Sequence, residues 1–262
     1  MAAQEIAHFT VAALFHPQIP CTQGCHGTSE LAHRTGGRSA QVSAPANFRG
    51  TRALIEPANA AMLLIDYQSG LFQNIGDVPM PVLCANLTTL AQAATVAGIP
   101  VITTASSPQS PSGALIPEIR KYAPHAQYVA RYGEINAWGN PLFAAAVRAT
   151  GKWQLIVAGT ITSECVALPA IAAVDDGYQV FAVVDASGAY SKAAEAITLA
   201  RIAQAGVVPM DIAAVCAELQ QTWNRKDAAR WAEVYALRVS EAPTSESCAT
   251  LGKRETVNLQ IS

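Results

Sequence analysis

The sequence predicts an α/β protein of three layers, α/β/α, on a mostly parallel sheet. Three observations carry this expectation. Short apolar runs alternate with longer helical stretches from about residue 60 to residue 236. Those runs are continuous rather than alternating, as strands covered on both faces must be. No repeat of 20–50 residues runs through the chain, which removes solenoid architectures.

In chain order, residues 61–65 form the first strand, ending at Asp66. A helix follows over roughly 80–97 and stops at Gly98, because glycine readily takes the left-handed conformation that closes helices. Residues 100–104 are the second strand, and the Ser-, Pro- and Gly-rich stretch 105–113 is a loop. A short strand near 128–130 ends at Arg131, and a helix over 141–149 stops at Gly151. The apolar run 154–158 is a buried strand, and a helix from Glu164 to Asp176 follows, opened by a Thr162/Ser163 cap and closed by Gly177. Strand 179–184 ends at Asp185. After it come helix 191–205, strand 207–210 and helices near 212–223 and 227–236.

The domain is therefore expected over residues 53–236, with 1–52 as a disordered extension and 237–262 as a flexible tail, both polar and without periodicity. Apolar residues make up 51% of the chain and charged ones 14%, so a large core and area for homo-oligomer contacts are expected. A net charge of −2 without a basic cluster argues against nucleic acid or an anionic membrane as partner. Six scattered cysteines in a chain of this size suit a reduced, cytoplasmic setting, and no basic leader or membrane span is legible. Cys21-Thr22-Gln23-Gly24-Cys25-His26 has a metal-binding look but no second half.

Cys165 stands at the start of the helix after strand 154–158, where unpaired N–H groups and the helix dipole favour a thiolate. That is a setting for a nucleophile, although a buried cysteine filling a gap also suits the position. Four of the five histidines lie in the first 33 residues, leaving His125 alone in the domain. A Cys–His or Ser–His–Asp arrangement and a multi-histidine metal site are thus disfavoured. A base for Cys165 must be a carboxylate, and its electrostatic partner a Lys or Arg.

Open parallel sheets bind ligands at the C-terminal ends of their strands. Asp66, Arg131 and Cys165 each lie at or just after such an end, provided that their strands are near neighbours. Asp66 suits a general base, or else a turn cap. Arg131 suits a partner for a thiolate or carboxylate, or else a surface pairing with Glu134. Asp185 reads as a structural cap. Phosphate-loop, dinucleotide and serine-elbow motifs are absent, so no cofactor is expected and hydrolysis is the leading reaction class.

Residues 58–225 resemble the isochorismatase-like cysteine hydrolases, and most closely their YcaC-like branch. The resemblance rests on Asp66-Tyr67-Gln68, on Ala130-Arg131 with Gly133 and Ile135-Asn136-Ala137-Trp138, on Gly159 through Val166, and on Val183 through Gly188. It implies a catalytic triad of Asp66, Arg131 and Cys165, and a cis peptide at Thr160-Ile161. It further implies an oxyanion hole made by the backbone N–H groups of Ile161 and Cys165. Many members carry Lys where this chain has Arg131, which acts as a fixed charge rather than a proton carrier. The Asp/His metal cluster of the nicotinamidase branch cannot be built here.

The expected activity is metal-independent hydrolysis of a small amide, carbamoyl or related C–N substrate through a Cys165 thioester. Phe72, Asn136 and Trp138 are weaker candidates for lining the pocket, with packing as the competing account. Two other readings use the same fold: a redox-active thiol protein and a catalytically silent subunit.

Overall fold

A computed structural model describes residues 54–239. The expected extension 1–52, with its Cys/His cluster, and residues 240–262 lie outside the described residues. Six strands form one sheet in the order β3-β2-β1-β4-β5-β6, every pair parallel. They are β1 Ala60–Ile65, β2 Val101–Ser106, β3 Gln127–Arg131, β4 Gln154–Gly159, β5 Gln179–Val183 and β6 Val208–Met210.

Strand period explains the layering, since alternate side chains face opposite sides of a sheet. Met62, Leu64, Ile156, Ala158, Phe181 and Val183 point into one core. There they meet α1 (Met80–Ala97), α2 (Pro117–Tyr122), α6 (Ile212–Gln220) and α7 (Ala228–Val239). Ala61, Leu63, Ile65, Leu155, Val157, Val180 and Ala182 point into the other. That face is covered by α3 (Pro141–Ala149), α4 (Ala167–Asp175) and α5 (Lys192–Gln204). The fully buried, largely apolar runs of β1, β4 and β5 are what two such cores require.

Most elements fall where the sequence puts them. Gly98 closes α1 with φ of 68° and Gly151 follows α3 with φ of 66°. Asn140 opens α3 by accepting from the Leu142 and Phe143 N–H groups, both at 3.0 Å. Helix α1 is long and apolar enough to pass for a membrane span by composition, but Leu83, Leu87 and Leu90 are buried against the sheet.

Three differences matter. Helix α2 was not expected, although Pro117 at its start, Glu118 in its first turn and Arg120 and Lys121 in its last are helix signals. Helix α7 continues to Val239, beyond the expected boundary at 236, because Trp231 and Val234 on its inner face bury against the α1 layer. The expected helix from Glu164 is divided into a π-helical turn, Thr162–Val166, and α4 proper.

Candidate active site

Strands β1 and β4 are neighbours, and the chain winds outward from them in opposite directions, through β2 and β3 on one side and β5 and β6 on the other. The crevice at their C-terminal ends is where open parallel sheets bind ligands. The two strands approach closely here: a Cβ on Gly159 would lie 2.3 Å from the Ile65 carbonyl oxygen.

Asp66 follows β1 with φ of 56°, in the left-handed region that Asp tolerates better than most side chains. It is 1% exposed. Its Oδ1 accepts the Ser106 N–H at 2.9 Å and forms an ion pair with Arg131 Nη2. Beyond β4 the Thr160–Ile161 peptide is cis, as the resemblance implies. The π-turn then brings Cys165, 6% exposed, over Asp66. The Asp66 carboxylate and the Ile161 backbone both lie close enough to the thiol to bear on it.

The electrostatics correct one expectation. Burial first, then the charge and hydrogen bond of Asp66, push the Cys165 thiol well above its ordinary value. The Ile161 amide and Arg131 act in the opposite direction and are outweighed. Resting Cys165 is therefore a neutral thiol rather than a helix-start thiolate. Two further details differ. No side chain caps the turn, since Thr162 Oγ1 donates instead to Gly188 O at 2.9 Å. The Cys165 N–H, expected to be a free oxyanion donor, is spent on Ile161 O at 2.7 Å. That is the ordinary α-helical spacing of four residues, so this amide reaches a second acceptor only through a three-centre bond.

Arg131 comes from β3, two strands away from β1, and its side chain crosses β2 to reach Asp66. Nε donates to Thr104 Oγ1 on β2 at 3.1 Å, and Nη1 to the backbone oxygen of Glu134. At 1% exposure it is a clamped charge rather than a surface residue. Its partner is the Asp66 carboxylate, not that of Glu134, which accepts instead from Tyr132 N–H and Asn140 Nδ2, both at 2.9 Å.

Each of the three pocket candidates makes structural contacts of its own, and Trp138 packs against the same core as Cys165. Phe72 is 1% exposed, stacked on Tyr67 in the core on the α1 side of the sheet, whereas Cys165 belongs to the opposite core. Trp138 donates Nε1–H to Asp176 at 2.9 Å and packs edge-on against Phe143 and Tyr178. Asn136 accepts the Trp138 N–H at 3.0 Å, capping a short 3-10 turn. Packing thus accounts for Phe72 and Trp138, and local capping for Asn136. Asp185 accepts the Ile212 N–H at 2.9 Å, a cap as expected.

Sequence reasoning missed the residues that hold Asp66 in place. Gln68 Oε1 accepts the Ser106 N–H at 3.0 Å while its Nε2 donates to Ser106 O and Gly113 O. Nothing local pairs residue 68 with 106 and 113. A cavity of about 450 Å³ between α2 and β3, lined by Ile116, Ile119, Arg120 and Tyr128, includes none of the three triad positions.

A family model described as Isochorismatase domain matches residues 60–214. The chain belongs to the isochorismatase family. It is a hydrolase. This isochorismatase-family chain is 39% identical over 170 residues to the probable hydrolase YcaC of Escherichia coli (strain K12), spanning 65% of this chain and 82% of that protein. The crystal structure of the E. coli YcaC gene product, an octameric hydrolase of unknown specificity, superposes with a TM-score of 0.70 at 38% identity, covering 72% of this chain and 93% of that one. YcaC from Pseudomonas aeruginosa, solved with hexane-2,5-diol and covalent acrylamide, gives 0.70 at 37% identity, covering 72% and 94%.

Proposed function

We propose that this hydrolase cleaves a small amide, carbamoyl or related non-peptide C–N bond through a Cys165 thioester, without a metal. The observation that carries the reading is the juxtaposition of the buried Cys165 thiol and the buried Asp66 carboxylate at the sheet's switch point. Asp66 takes the thiol proton as the sulfur attacks the substrate carbonyl, so charge separation is confined to the moment of reaction. The Ile161 N–H, close to the sulfur, stabilises the oxyanion, a contribution of about 3–4 kcal/mol per donor. Asp66 returns the proton to the leaving amine, then activates water against the thioester. Arg131 orients Asp66 through their ion pair and exchanges no proton, since a guanidinium stays charged.

The covalent acrylamide on P. aeruginosa YcaC supports a small amide reaching a nucleophile on this scaffold. The octamer of the E. coli relative supports a homo-oligomer here. A cytoplasmic enzyme with a small-molecule substrate, and without nucleic-acid or membrane partners, completes the proposal. The elevated thiol favours a second reading, a catalytically silent subunit. One experiment decides between them: small amides and carbamates are screened with mass detection of an acyl adduct on the Cys165 peptide. Adduct and turnover, both lost in Cys165→Ala and both surviving chelation, are expected. A panel that leaves Cys165 unmodified and every compound unhydrolysed overturns the hydrolytic reading.

A further inference from the structure

The residue immediately before the nucleophile, Glu164, has no part in the mechanism above, yet a side chain distant in sequence holds it. Tyr190 Oη donates to Glu164 Oε1 at 3.2 Å, although the two are 26 residues apart. Tyr190 is 47% exposed, while Cys165 behind it is 6% exposed. The phenol lies close enough to feel both the Glu164 carboxylate and Cys165; burial and then Glu164 raise it above the ordinary phenol value, so it stays a donor. Tyr190 and Glu164 thus form a hydrogen-bonded pair that adjoins Cys165 in the chain and lies within electrostatic range of its sulfur.

The charges around Cys165 are uneven. Arg131 is buried, and its guanidinium is spent on Asp66, Thr104 and the Glu134 carbonyl, leaving no free face for an incoming anion. Lys192, two residues past Tyr190, is turned onto Glu195 at 3.2 Å. The Glu164 carboxylate has no cationic partner among the ion pairs of the described residues. An approaching substrate therefore meets one net negative charge beside the thiol.

We infer that Glu164, positioned by Tyr190, is a specificity-determining residue that selects cationic or neutral hydrogen-bond-donating substrates and rejects carboxylate-bearing ones. This deepens the proposed function and rests on Cys165 being the nucleophile. A primary amide or ureido group presents N–H donors that Glu164 accepts, whereas a substrate carboxylate near the sulfur faces repulsion. Glu164 acts on binding and approach, with no proton transferred.

The test uses three thiol reagents of differing charge: a cationic aminoethyl methanethiosulfonate, a neutral methyl methanethiosulfonate and an anionic sulfonatoethyl methanethiosulfonate. Rates of Cys165 modification are followed by peptide mass spectrometry and normalised to each reagent's rate with 2-mercaptoethanol. The full chain should favour the cation over the anion by about five- to tenfold at low salt, the effect of one exposed charge nearby. The preference should shrink at high salt, where such charges are screened. Glu164→Gln, which keeps shape and loses charge, should erase it, and Tyr190→Phe should weaken it by releasing the carboxylate. Rapid Cys165 labelling with no charge preference, or a preference unchanged in Glu164→Gln, overturns this inference and leaves the nucleophile intact. Cys165 labelling no faster than Cys216 with every reagent overturns the nucleophile reading itself.

Discussion

Replacing Asp66 by Asn separates two roles that one carboxylate holds. Asp66 supplies two of the three influences that raise the Cys165 thiol, its charge and its hydrogen bond, with burial the largest. The substituted amide keeps an oxygen able to accept the Ser106 N–H but leaves the Arg131 guanidinium unbalanced in a site 1% exposed. Both changes favour the thiolate, so the thiol in Asp66→Asn should titrate lower than in the wild type. Charges at this range move a neighbour by about 1–3 units as a rule. Removing one partner of a buried ion pair costs about 3–5 kcal/mol. For a domain of this size that corresponds to a Tm fall of roughly 6–20 °C. Turnover should drop by about 10²–10⁴, the usual contribution of a general base. The variant thus gains thiolate and loses catalysis. Ultraviolet thiolate absorbance and the pH dependence of Cys165 alkylation report the first, and product formation with denaturant unfolding the rest. A folded Asp66→Asn whose thiol titrates at or above the wild-type position would show that Asp66 does not govern Cys165.

The pH dependence of stability follows from the same shift. The folded thiol lies above its unfolded value of about 8.5, so its contribution is complete below that pH and is lost as pH rises toward the folded value. Cys165→Ala should accordingly lose less stability than the wild type between neutral and alkaline pH, as read by urea midpoints; parallel curves would refute it. Gly159→Ala places a methyl 2.3 Å from the Ile65 carbonyl between paired strands, where no flexible side chain can yield. It should cost at least about 1–3 kcal/mol, with lost activity as β1 and β4 part, and a Tm equal to the wild type counts against the close approach. Trp138→Phe loses the hydrogen bond to Asp176, worth about 0.5–1.5 kcal/mol, and should leave KM unchanged, whereas a raised KM would return Trp138 to the pocket.

Much of the molecule was legible because local rules governed it. Unbroken apolar runs announced buried parallel strands, Gly98 and Gly151 marked helix ends, and the motifs around Asp66, Arg131 and Cys165 carried the family. Helix α2 carried legible signals too, but six residues give periodicity too little length to register. The π-turn was not legible at all: the choice between α and π depends on which carbonyl each N–H reaches, here Thr162 O for Ala167, and tertiary contacts with Gly188 and Ile65 place that segment.

By itself, the sequence determined which chemical groups reach the C-terminal rim of the sheet, because strand ends follow from local hydrophobicity. Only the tertiary structure decided how they are paired. Strand order put β2 between Asp66 and Arg131, so the guanidinium clamps the carboxylate across Thr104 and reaches the thiol only weakly. Burial of all three groups then reversed the sense of the helix-start environment, since desolvation outweighs the local amides and raises the Cys165 thiol.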